Sequence, residues 1–387
     1  MTIVPSERFD AVVVGAGPAG STAAFCLSRA HARVLLVDKA RFPRDKPCGG
    51  GLTYRALRLL PFSVDPVVEE EVDTFELGLG YRRRFERRTS RPLIAMTQRR
   101  RLDAYLVEQA REAGTEFREG VRVELSPLTV DGERIEAATL IGADGVNGAT
   151  AKTFGLDGHE YEVALEGNVA YEHVPRGRYA RRAVLEMGIV PGGYGWVFPK
   201  GDHINVGVGG WLHQGPELRR HLRRLCAEHG IPEDAVADLR GYRLPLRRPG
   251  ASAGRGTTAL VGDAAGLVDP VSGDGIYEAF LSAKLASDAA LDVIAGRKSD
   301  FSRYAEELKR ALALQAAASW RAKLALERFP RLSFSLLRAP YAWSALERIM
   351  RADATHPGAI GGPGGAALRA AELLARVAGD PGKAFAA

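Results

Sequence analysis

Residues 9–40 read FDAVVVGAGPAGSTAAFCLSRAHARVLLVDKA, which is the most informative part of the sequence for the fold. An apolar run leads into a glycine-rich turn, small and apolar residues follow, and a second apolar run ends in an acid. The order strand, tight turn, helix, strand is typical of a βαβ unit that binds a nucleotide. The stretch therefore predicts a Rossmann-like sheet with a dinucleotide at its first glycine turn.

Each residue of the motif GAGPAG has its own physical task in such a unit. Gly15 allows the tight turn, Gly17 lets the backbone approach a pyrophosphate, and Gly20 permits close packing of the helix. Pro18 suits the first turn of the helix, whose free N–H groups face the phosphates. Asp38 follows the second strand, where a carboxylate accepts hydrogen bonds from a ribose. The expected cofactor contacts at this end of the chain are Gly15, Gly17, Pro18, Ala19, Gly20, Asp38 and Lys39.

The composition is that of a soluble globular protein. Of the 387 residues, 46% are hydrophobic and 26% are charged, and the length predicts two closely joined domains or one large multi-part fold. No apolar run approaches the ~20 residues of a membrane helix, and the N-terminus has no signal-peptide pattern, so we expect a cytoplasmic protein. The spacing of Cys26, Cys48 and Cys226 indicates neither a disulfide framework nor a zinc site, and no metal is expected.

Positive charge is concentrated in one segment. The net charge is +6, and nine arginines fall between Tyr81 and Arg101 in YRRRFERRTSRPLIAMTQRRR. This run is either a solvated surface or a site that attracts an anion, such as acidic lipid or a diphosphate. Nucleic acid is not expected as a partner, because no helix-turn-helix, zinc-finger or RNA-binding pattern accompanies the charge.

Two later segments indicate which dinucleotide binds. The first, ATLIGADGVNGAT, contains Asp144, and the second, TALVGDAAGLVDPVSGDGIYEAF, contains Asp263. Both resemble elements of the FAD-dependent hydroxylase and reductase superfamily, and the resemblance implies that the cofactor is FAD. In the second segment two glycines let the backbone pass close to a flat ring, and a helix beginning near Gly275 directs its positive end at the flavin. The cofactor contacts expected from both segments are Asp144, Gly262, Asp263, Pro270, Gly273, Gly275 and Ile276.

The segment QRRRLDAYLVEQAREAG predicts an amphipathic helix that returns the chain to the nucleotide domain. The superfamily resemblance implies that Arg99, four residues before Asp103, contacts the FAD. The chain departs from the superfamily after Asp144, because Gly148 and Ala151 stand where a serine and an arginine are frequent. We therefore carry over no contact to that loop.

Three aromatic residues alternate within residues 191–199, PGGYGWVFP. On a strand Tyr194, Trp196 and Phe198 would share one side, with Gly195 and Val197 on the other. From the pattern alone, that aromatic side is either part of the core or the wall of a cavity.

The segment KARFPRDKPCGGGLTYRAL follows Asp38 and contains Lys46, Cys48 and a glycine triplet. Together with PGGYGWVFP and GDAAGLVDPVSGDGI, it resembles the geranylgeranyl reductase family of FAD-dependent prenyl reductases. The resemblance implies that the cysteine loop passes near the flavin and that the aromatic strand lines a hydrophobic cavity. It also implies three sets of site residues. The further cofactor contacts are Lys46, Cys48, Gly49 and Gly50, and the catalytic residues are Cys48, Gly49, Gly50, Tyr194 and Trp196. The substrate pocket is formed by Tyr194, Trp196, Phe198 and Pro199.

The expected fold class is α/β, with a Rossmann-like FAD-binding domain, an inserted antiparallel-sheet substrate domain and a C-terminal helical region. The FAD-binding domain is expected to be discontinuous and to comprise residues 1–70, 98–157 and 241–298. Residues 71–97 and 158–240 are assigned to the substrate domain, and residues 299–387 to the helical region.

The family resemblance implies a reductase that saturates C=C double bonds of a geranylgeranyl or other isoprenoid chain by hydride transfer from N5 of reduced FAD. Cys48 is the first candidate for the proton donor, although a thiol in a glycine loop suits a structural role equally well. The expected partners are an isoprenoid or prenyl-lipid substrate, an electron donor that is NADPH or a reduced carrier, and a membrane surface contacted peripherally.

Two other functions fit the same motifs. One is an FAD-dependent monooxygenase or halogenase acting on a hydrophobic or aromatic substrate, since the fold also serves oxygen chemistry. The other is a non-catalytic prenyl-binding protein, like the Rab escort and dissociation-inhibitor proteins. The intact GDAAG and DPVSGDGI segments favour a redox protein over the second alternative.

Overall fold

A computed structural model of the protein describes residues 7–247, 251–354 and 359–366, together with Arg369, Leu373 and Val377. Residues 1–6 and 248–250 of the expected FAD-binding domain, and the other residues after 354 in the expected helical region, lie outside the described residues. No helix in the described ranges has both the length and the apolar composition needed to cross a bilayer.

The strands alternate with helices in the first part of the chain and follow one another more closely in the middle. In chain order the strands are β1 (Glu7–Val14), β2 (Val34–Asp38), β3 (Gly51–Thr53), β4 (Val68–Val72), β5 (Thr74–Leu79), β6 (Arg83–Arg88), β7 (Ile94–Thr97), β8 (Glu116–Glu119), β9 (Val123–Leu125), β10 (Leu128–Val130), β11 (Glu133–Gly142), β12 (His159–Ala170), β13 (Arg182–Met187), β14 (Tyr194–Pro199), β15 (His203–Trp211), β16 (Ala237–Arg247), β17 (Gly254–Arg255) and β18 (Thr258–Leu260).

The longer helices follow the glycine motifs or belong to the C-terminal region. In chain order the helices are α1 (Pro18–Arg29), α2 (Tyr54–Leu57), α3 (Arg99–Glu112), α4 (Thr150–Thr153), α5 (Arg176–Tyr179), α6 (Leu218–Glu228), α7 (Ile276–Ile294), α8 (Ser302–Arg328), α9 (Pro330–Arg338) and α10 (Pro340–Met350).

An eight-stranded sheet forms around β1. Its order is β17–β18–β11–β1–β2–β8, and the short strands β9 and β10 extend it from β11. β1 pairs in parallel with β2 and β11, because the crossover through α1 returns the chain in the same direction. Ala11, Val12 and Val13 are fully buried, which is typical of a parallel strand covered on both faces. The carboxyl ends of β1, β2 and β11 therefore meet at one edge of this sheet.

A seven-stranded sheet has the order β16–β12–β15–β14–β13–β5–β6. Neighbouring strands are antiparallel except for β13 and β5, which are parallel. One face packs on α6 through an aliphatic core that includes Val184, Val197, Val206 and Leu225. Because side chains alternate along a strand, the other face presents a second set of residues, and these face a large cavity.

The C-terminal helices cover the far end of this cavity-lining face. α8 packs on α7, and α9 and α10 lie against β5 and β6 through two aromatic contacts. The ring centroids of Phe85 and Phe334 are 5.0 Å apart, and those of Phe75 and Trp343 are 5.4 Å apart. A small third sheet, β3–β7–β4, lies where the chain passes between the two larger sheets.

The predicted fold class is confirmed: the protein is α/β, with a Rossmann-like unit, a largely antiparallel second sheet and a helical C-terminal region. The expected domain boundaries stay a prediction. β16 continues to Arg247, past residue 240, while β4 and β7 pair with β3 in the small sheet instead of joining the seven-stranded sheet.

The tightest backbone contact of the Rossmann-like unit gives a stability prediction. A Cβ atom at Gly20 would lie 1.8 Å from the carbonyl oxygen of Gly15, so Gly20→Ala must push α1 away from the turn. We expect thermal unfolding to show a loss of about 1–3 kcal/mol, with weaker FAD retention. The control is Gly177→Ala in α5, where the added Cβ meets no atom within 4 Å. Equal melting temperatures for the two variants would contradict the assignment of Gly20 to close packing.

Candidate active site

One continuous cavity of about 1660 Å³ lies between the carboxyl edge of the eight-stranded sheet and the open face of the seven-stranded sheet. Pockets for a single small ligand are typically about 300–1,000 Å³, so this cavity has room for a dinucleotide and a second ligand. Its walls come from the Gly15 turn, the Cys48 loop, β14, the loop before α7, and helices α8 to α10.

The Gly15 turn forms the floor of the nucleotide end. Gly15 has a φ of 102°, and a Cβ there would lie 2.3 Å from the carbonyl oxygen of Ala143, so only glycine fits. α1 begins at Pro18, and no side chain caps its free N–H groups. Asp38 accepts hydrogen bonds from the N–H groups of Ala16 (2.7 Å) and Ala40 (2.8 Å), which orients its carboxylate at the end of β2.

A network of alternating positive and negative side chains crosses the cavity above this turn. Arg99 makes a bidentate pair with the fully buried Asp103 (2.7 and 2.8 Å), and Arg44 approaches the same carboxylate at 3.0 Å. Lys46 forms an ion pair with Asp263 at 2.9 Å. These contacts hold three cationic side chains on the wall where the pyrophosphate of a dinucleotide would lie.

The charged side chains of this network stabilise one another's ionised forms, although burial opposes those forms. Burial alone would raise the pKa of Asp263, but Lys46 and Arg99 hold it below its usual value. Burial would lower the pKa of Lys46, yet Asp263 raises it. Likewise, burial opposes the charged form of Arg99, while Asp103 raises the pKa of its guanidinium. Asp263, Lys46 and Arg99 therefore remain ionised at neutral pH.

Asp144 closes the nucleotide end from the side of β11. Its Oδ2 accepts hydrogen bonds from the N–H (2.9 Å) and the hydroxyl (2.8 Å) of Thr150. A Cβ atom at Gly148 would lie 2.0 Å from this carboxyl group, which explains why glycine replaces the serine frequent in the superfamily. Oδ1 of Asp144 is buried without a hydrogen-bond partner among the described residues. An unpaired acceptor, a glycine floor and uncapped helix N–H groups fit the pyrophosphate and ribose portions of FAD.

The Cys48 loop is fixed from the side of the seven-stranded sheet. The N–H of Cys48 donates to Glu166 Oε1 at 2.7 Å, and Lys200 Nζ donates to the Cys48 carbonyl oxygen at 2.6 Å. Burial raises the pKa of Glu166, and Lys200 opposes that effect only in part. The thiol accepts a weak hydrogen bond from the N–H of Gly50 at 3.4 Å. A Cβ atom at Gly49 would lie 3.1 Å from the Phe198 ring, so the loop lies directly against the aromatic strand.

The aromatic strand forms a wall of the cavity, which settles the alternative left by its pattern. Tyr194, Trp196 and Phe198 line the cavity in a row, with centroids 6.0 and 6.3 Å apart. Val197 is fully buried on the opposite face, against α6. The indole N–H of Trp196 donates to Asn205 Oδ1 at 2.8 Å, and Gly207 leaves the space in which this ring lies.

Three expected site residues do not line the cavity. Pro199 is two residues from Val197 along β14, so its side chain lies on the same face as Val197 and on the opposite face from the three rings. Pro199 does not line the cavity, and its assignment to the substrate pocket is corrected. Gly20 and Gly262 lie beneath the surface, where a Cβ would meet Gly15 and Ala19 respectively, so they act through packing and not through contact. The other expected contacts all lie on the cavity wall.

The loop before α7 is held by one carboxylate. Asp269 Oδ1 accepts from the N–H groups of Val271 (3.1 Å) and Ser272 (2.9 Å) and from the Ser272 hydroxyl (2.8 Å). Gly273 has a φ of 68°, and Gly275 precedes the first residue of α7. The hydroxyl of Tyr194 donates to the Ser272 carbonyl, which joins this loop to the aromatic strand.

The sequence pattern missed one face of α8. Gln315, Ser319 and Lys323 recur every four residues and so share one side of the helix. Gln315 donates to Glu278 Oε1 at 2.9 Å, Ser319 donates to Asp269, and Lys323 donates to the Pro270 carbonyl at 2.9 Å. The i, i+4 spacing was visible in the sequence, but nothing there indicated that the loop before α7 would be its partner.

Lys323 also forms a buried ion pair with Glu162 of β12 at 2.5 Å. Burial raises the pKa of Glu162 to about 7, although Lys323 lowers it. The same ammonium group lies 4.5 Å from the centroid of the Trp211 ring. This pair joins the C-terminal helices to the seven-stranded sheet across the cavity.

Beyond the aromatic strand, the cavity continues into an apolar arm between the seven-stranded sheet and helices α9 and α10. Its lining is aliphatic or aromatic on both sides. The arm is formed by Phe75, Leu77 and Leu79 of β5, Ala183, Leu185 and Met187 of β13, and Leu336, Leu337, Trp343, Leu346, Ile349 and Met350 of the helices.

The arginine run is divided among several environments. Arg99 belongs to the nucleotide end, Arg101 pairs with Glu69 at 2.7 Å, and Arg84 pairs with the buried Glu186 at 3.2 Å. Arg82 and Arg83 are exposed at the start of β6, which is an edge strand. Attraction of an anionic surface to this segment stays a prediction, as does the cytoplasmic location.

The comparisons with known proteins agree with this geometry. Residues 8–186 match the family model of an FAD binding domain. The geranylgeranyl diphosphate reductase of Rhodobacter capsulatus is 32% identical over 303 residues, which cover 73% of this chain and 75% of that protein. Digeranylgeranylglycerophospholipid reductase 1 of Methanopyrus kandleri is 31% identical over 309 residues, covering 74% and 81%.

Solved structures share the fold at lower identity. A geranylgeranyl bacteriochlorophyll reductase-like protein from Thermoplasma acidophilum superposes with a TM-score of 0.75 at 23% identity, covering 86% of this chain and 91% of that one. A flavin-dependent brominase superposes with a TM-score of 0.71 at 17% identity, covering 94% and 98%. Both likenesses concern the fold alone.

The FAD binding domain and the residues at the nucleotide end define an FAD-dependent oxidoreductase. Within that class, the chain belongs to the geranylgeranyl reductase family, since relatives of that family more than 30% identical align over about three quarters of its length. The predicted cofactor and class of enzyme are confirmed.

The pKa of Glu162 gives a pH prediction. Because its folded pKa of about 7 lies above the ordinary value of 4.5, the folded protein retains a proton that the unfolded chain releases. This contribution to stability is present below about pH 4.5 and is lost as the pH rises to about 7, and it amounts to about 3 kcal/mol at most. In Glu162→Gln we expect the free energy of unfolding to decline less across that interval than in the wild type.

The measurement is chemical denaturation at both ends of the pH interval. Loss of the partner of Lys323 lowers the stability of Glu162→Gln at every pH, so the informative quantity is the change between the two pH values. The control is Glu217→Gln, which removes a half-exposed carboxylate paired with Arg220. An unchanged pH dependence in Glu162→Gln would refute the raised pKa.

Proposed function

We propose that the protein saturates C=C double bonds in the isoprenoid chain of a prenyl lipid, with electrons delivered to its FAD by NADPH or a reduced carrier. The observation that carries this proposal is the continuity of the cavity, in which the nucleotide end opens past the Cys48 loop into the apolar arm. A branched hydrocarbon chain is the class of substrate that matches an uncharged arm of this kind. Peripheral contact with a membrane belongs to the same proposal.

The walls of the arm can exclude water from a hydrocarbon chain. Leu79, Leu185 and Met187 line the arm and are half-buried without a bound chain, so a chain that binds there would cover their remaining exposed surface. Apolar surface that leaves water on binding contributes about 25 cal/mol per Å², so a long chain gains affinity along the entire arm. Such affinity is nearly independent of position along the chain, and the groups at the mouth of the arm must therefore fix which bond reacts.

The Cys48 loop and the aromatic strand are suited to that positioning. Glu166 and Lys200 fix the loop backbone, and Asn205 fixes the indole ring of Trp196. The loop and the strand therefore form a rigid passage between the two ends of the cavity. When reduced FAD is bound, it supplies the hydride for the reaction.

The names of the relatives support this proposal over oxygen chemistry. The Rhodobacter capsulatus and Methanopyrus kandleri proteins are both named as reductases of geranylgeranyl compounds. The brominase resembles this chain in fold only. A non-catalytic prenyl-binding protein would not need the charge network that fits the FAD pyrophosphate.

Anaerobic single turnover tests the proposed function. We expect purified protein to carry FAD, and the reduced protein to be reoxidised without oxygen by at least one of geranylgeranyl diphosphate, geranylgeraniol and menaquinone. The product should gain two hydrogens for each bond saturated, as measured by mass spectrometry. Turnover that requires oxygen and adds an oxygen or halogen atom would instead identify a monooxygenase or halogenase.

Replacement of Trp196 tests the role of the aromatic wall. Trp196→Ala widens the passage, so we expect folded, FAD-loaded protein with slower turnover and altered selection among the double bonds. A displacement of about 1 Å can reduce a rate by about 100-fold, so turnover should fall even where FAD binding does not. Product mapping by mass spectrometry measures the selectivity.

The matched control for Trp196→Ala is Val197→Ala, one residue along the same strand. Val197 packs on the opposite face against α6, so its truncation should lower the melting temperature without changing the product pattern. If Val197→Ala shifts the product pattern and Trp196→Ala only lowers stability, the aromatic wall does not position the substrate.

A further inference from the structure

Four carboxyl groups line the cavity around the start of α7, and none of them belongs to the cofactor contacts expected from the sequence. We call Glu162, Asp269, Asp274 and Glu278 the acid cluster. Within the part of the chain that the structure describes, they do not form a group able to hold a metal ion. Their protonation must therefore be explained by their protein surroundings.

Three members of the acid cluster have structural partners. Asp269 holds the loop through backbone N–H groups and the hydroxyls of Ser272 and Ser319. Asp274 Oδ1 accepts from the N–H of Ile276 at 2.8 Å, at the first residue of α7. Glu162 pairs with Lys323. The contacts of Asp274 and Glu162 favour the ionised carboxylate and oppose the effect of burial.

Glu278 differs from the other three. It lies in the first turn of α7, its residue is 4% exposed, and its Oε1 accepts a hydrogen bond from Gln315. Its Oε2 is buried and has no hydrogen-bond partner among the described residues. A buried carboxylate oxygen without a partner is costly, whereas a protonated Oε2 removes the charge.

The charges around Glu278 favour the protonated form. Burial is the main cause that raises its pKa well above the usual value, and the negative charges of Asp274 and Asp269 add to it. Arg55 of α2 opposes them, but its guanidinium donates to Gln315 and stacks on the Tyr277 ring at 3.7 Å. The surroundings of Glu278 on the cavity wall therefore favour its neutral, protonated form.

We propose that Glu278 donates the proton that completes saturation of the substrate double bond. This inference rests on the proposed function. The Glu278 carboxyl turns Oε2 from its buried position towards the cavity, the π electron pair of the alkene forms a C–H bond with its proton, and Glu278 becomes a carboxylate. The neighbouring carbon receives the hydride, with its electron pair, from the reduced cofactor. Two hydrogens and two electrons are thus added across one double bond.

Asp274 provides the route by which Glu278 regains its proton. It precedes Glu278 by four residues, is half-buried, and lies two residues from the exposed Ser272. Burial raises the pKa of Asp274 to about 6, so it can bind and release a proton near neutral pH. In this proposal Asp274 therefore exchanges the proton between solvent and Glu278.

The test compares Glu278→Gln with the wild type in the full, FAD-loaded chain. The variant keeps the shape and the acceptor for Gln315 but has no acidic proton. In anaerobic single turnover with whichever of geranylgeranyl diphosphate, geranylgeraniol and menaquinone the wild type reduces, we expect flavin reoxidation to slow by about 100-fold or more, at unchanged FAD content. The wild-type rate should fall as the pH rises through the pKa of Glu278, and the residual rate of the variant should not follow that titration.

Infrared spectroscopy supplies a readout that does not depend on turnover. At a pH above the pKa values of Glu162 (about 7) and Asp274 (about 6), wild-type protein, with or without FAD, should show a protonated-carboxyl C=O band that shifts in D₂O and that Glu278→Gln lacks. The control is Glu306→Gln, which removes an exposed carboxylate of α8 and should retain both the band and the rate.

Several outcomes would overturn the donor assignment. Absence of the infrared band, or a wild-type rate of reoxidation in Glu278→Gln, excludes Glu278. The same holds if Cys48→Ala, and not Glu278→Gln, abolishes the pH dependence of the rate. If wild-type protein reduces no prenyl substrate, the proposed function fails and the donor role with it, while the infrared band still reports separately whether Glu278 is protonated.

Discussion

The path of the loop from Lys39 to Gly50 is the constraint on which the active site depends. This loop has little backbone pairing, and its course is fixed by charged contacts to distant parts of the chain. The contacts join Arg44 to Asp103, Asp45 to Arg240, Lys46 to Asp263, and the backbone of Cys48 to Glu166 and Lys200. Because these partners lie on α3, β12 and β16 and in the turns after β14 and β18, the loop can take this path only when both large sheets are in place. The cavity is thus completed by ion pairs that span the two sheets.

Charge divides the cavity into two chemically different ends. At the nucleotide end, acids and bases alternate, so each carboxylate is stabilised as an anion and the cations remain available to phosphate. Around the start of α7, acids outnumber bases, and burial raises the pKa values of Glu162, Asp274 and Glu278. The first end can therefore bind an anionic cofactor, and the second can hold protons within a cavity that has an apolar arm. These are the two requirements of a reaction that adds a hydride and a proton to a hydrocarbon.

The register of the seven-stranded sheet creates the transition between these regions. One row across the sheet runs from Leu77 through Leu185 and Trp196 to Gly207 and Glu166. Its apolar end faces the arm and its acidic end holds the Cys48 loop, while Gly207 leaves the space for the indole ring. A shift of one residue on any strand would turn that strand's cavity residues to the α6 side. The aliphatic core on α6 therefore fixes the orientation of the cavity wall as well as stabilising the sheet.

Sequence patterns were enough to predict the Rossmann-like unit, FAD as the cofactor and the shared face of the three aromatic rings. These features depend on local rules. Gly15 has the positive φ that the turn needs, and the glycine at position 17 has no side chain to block a pyrophosphate. Successive side chains of a strand point to opposite faces, so Trp196 and Val197 lie on different sides of the sheet. The same alternation places Pro199 with Val197, so that error could have been avoided from the sequence. Three features emerge only from the folded chain: Arg84 is paired within the protein, one face of α8 holds the loop before α7, and one oxygen of Glu278 has no hydrogen-bond partner among the described residues. Ion pairing and proton affinity depend on burial and on charges brought together from distant parts of the chain, and no local pattern of residues encodes those distances.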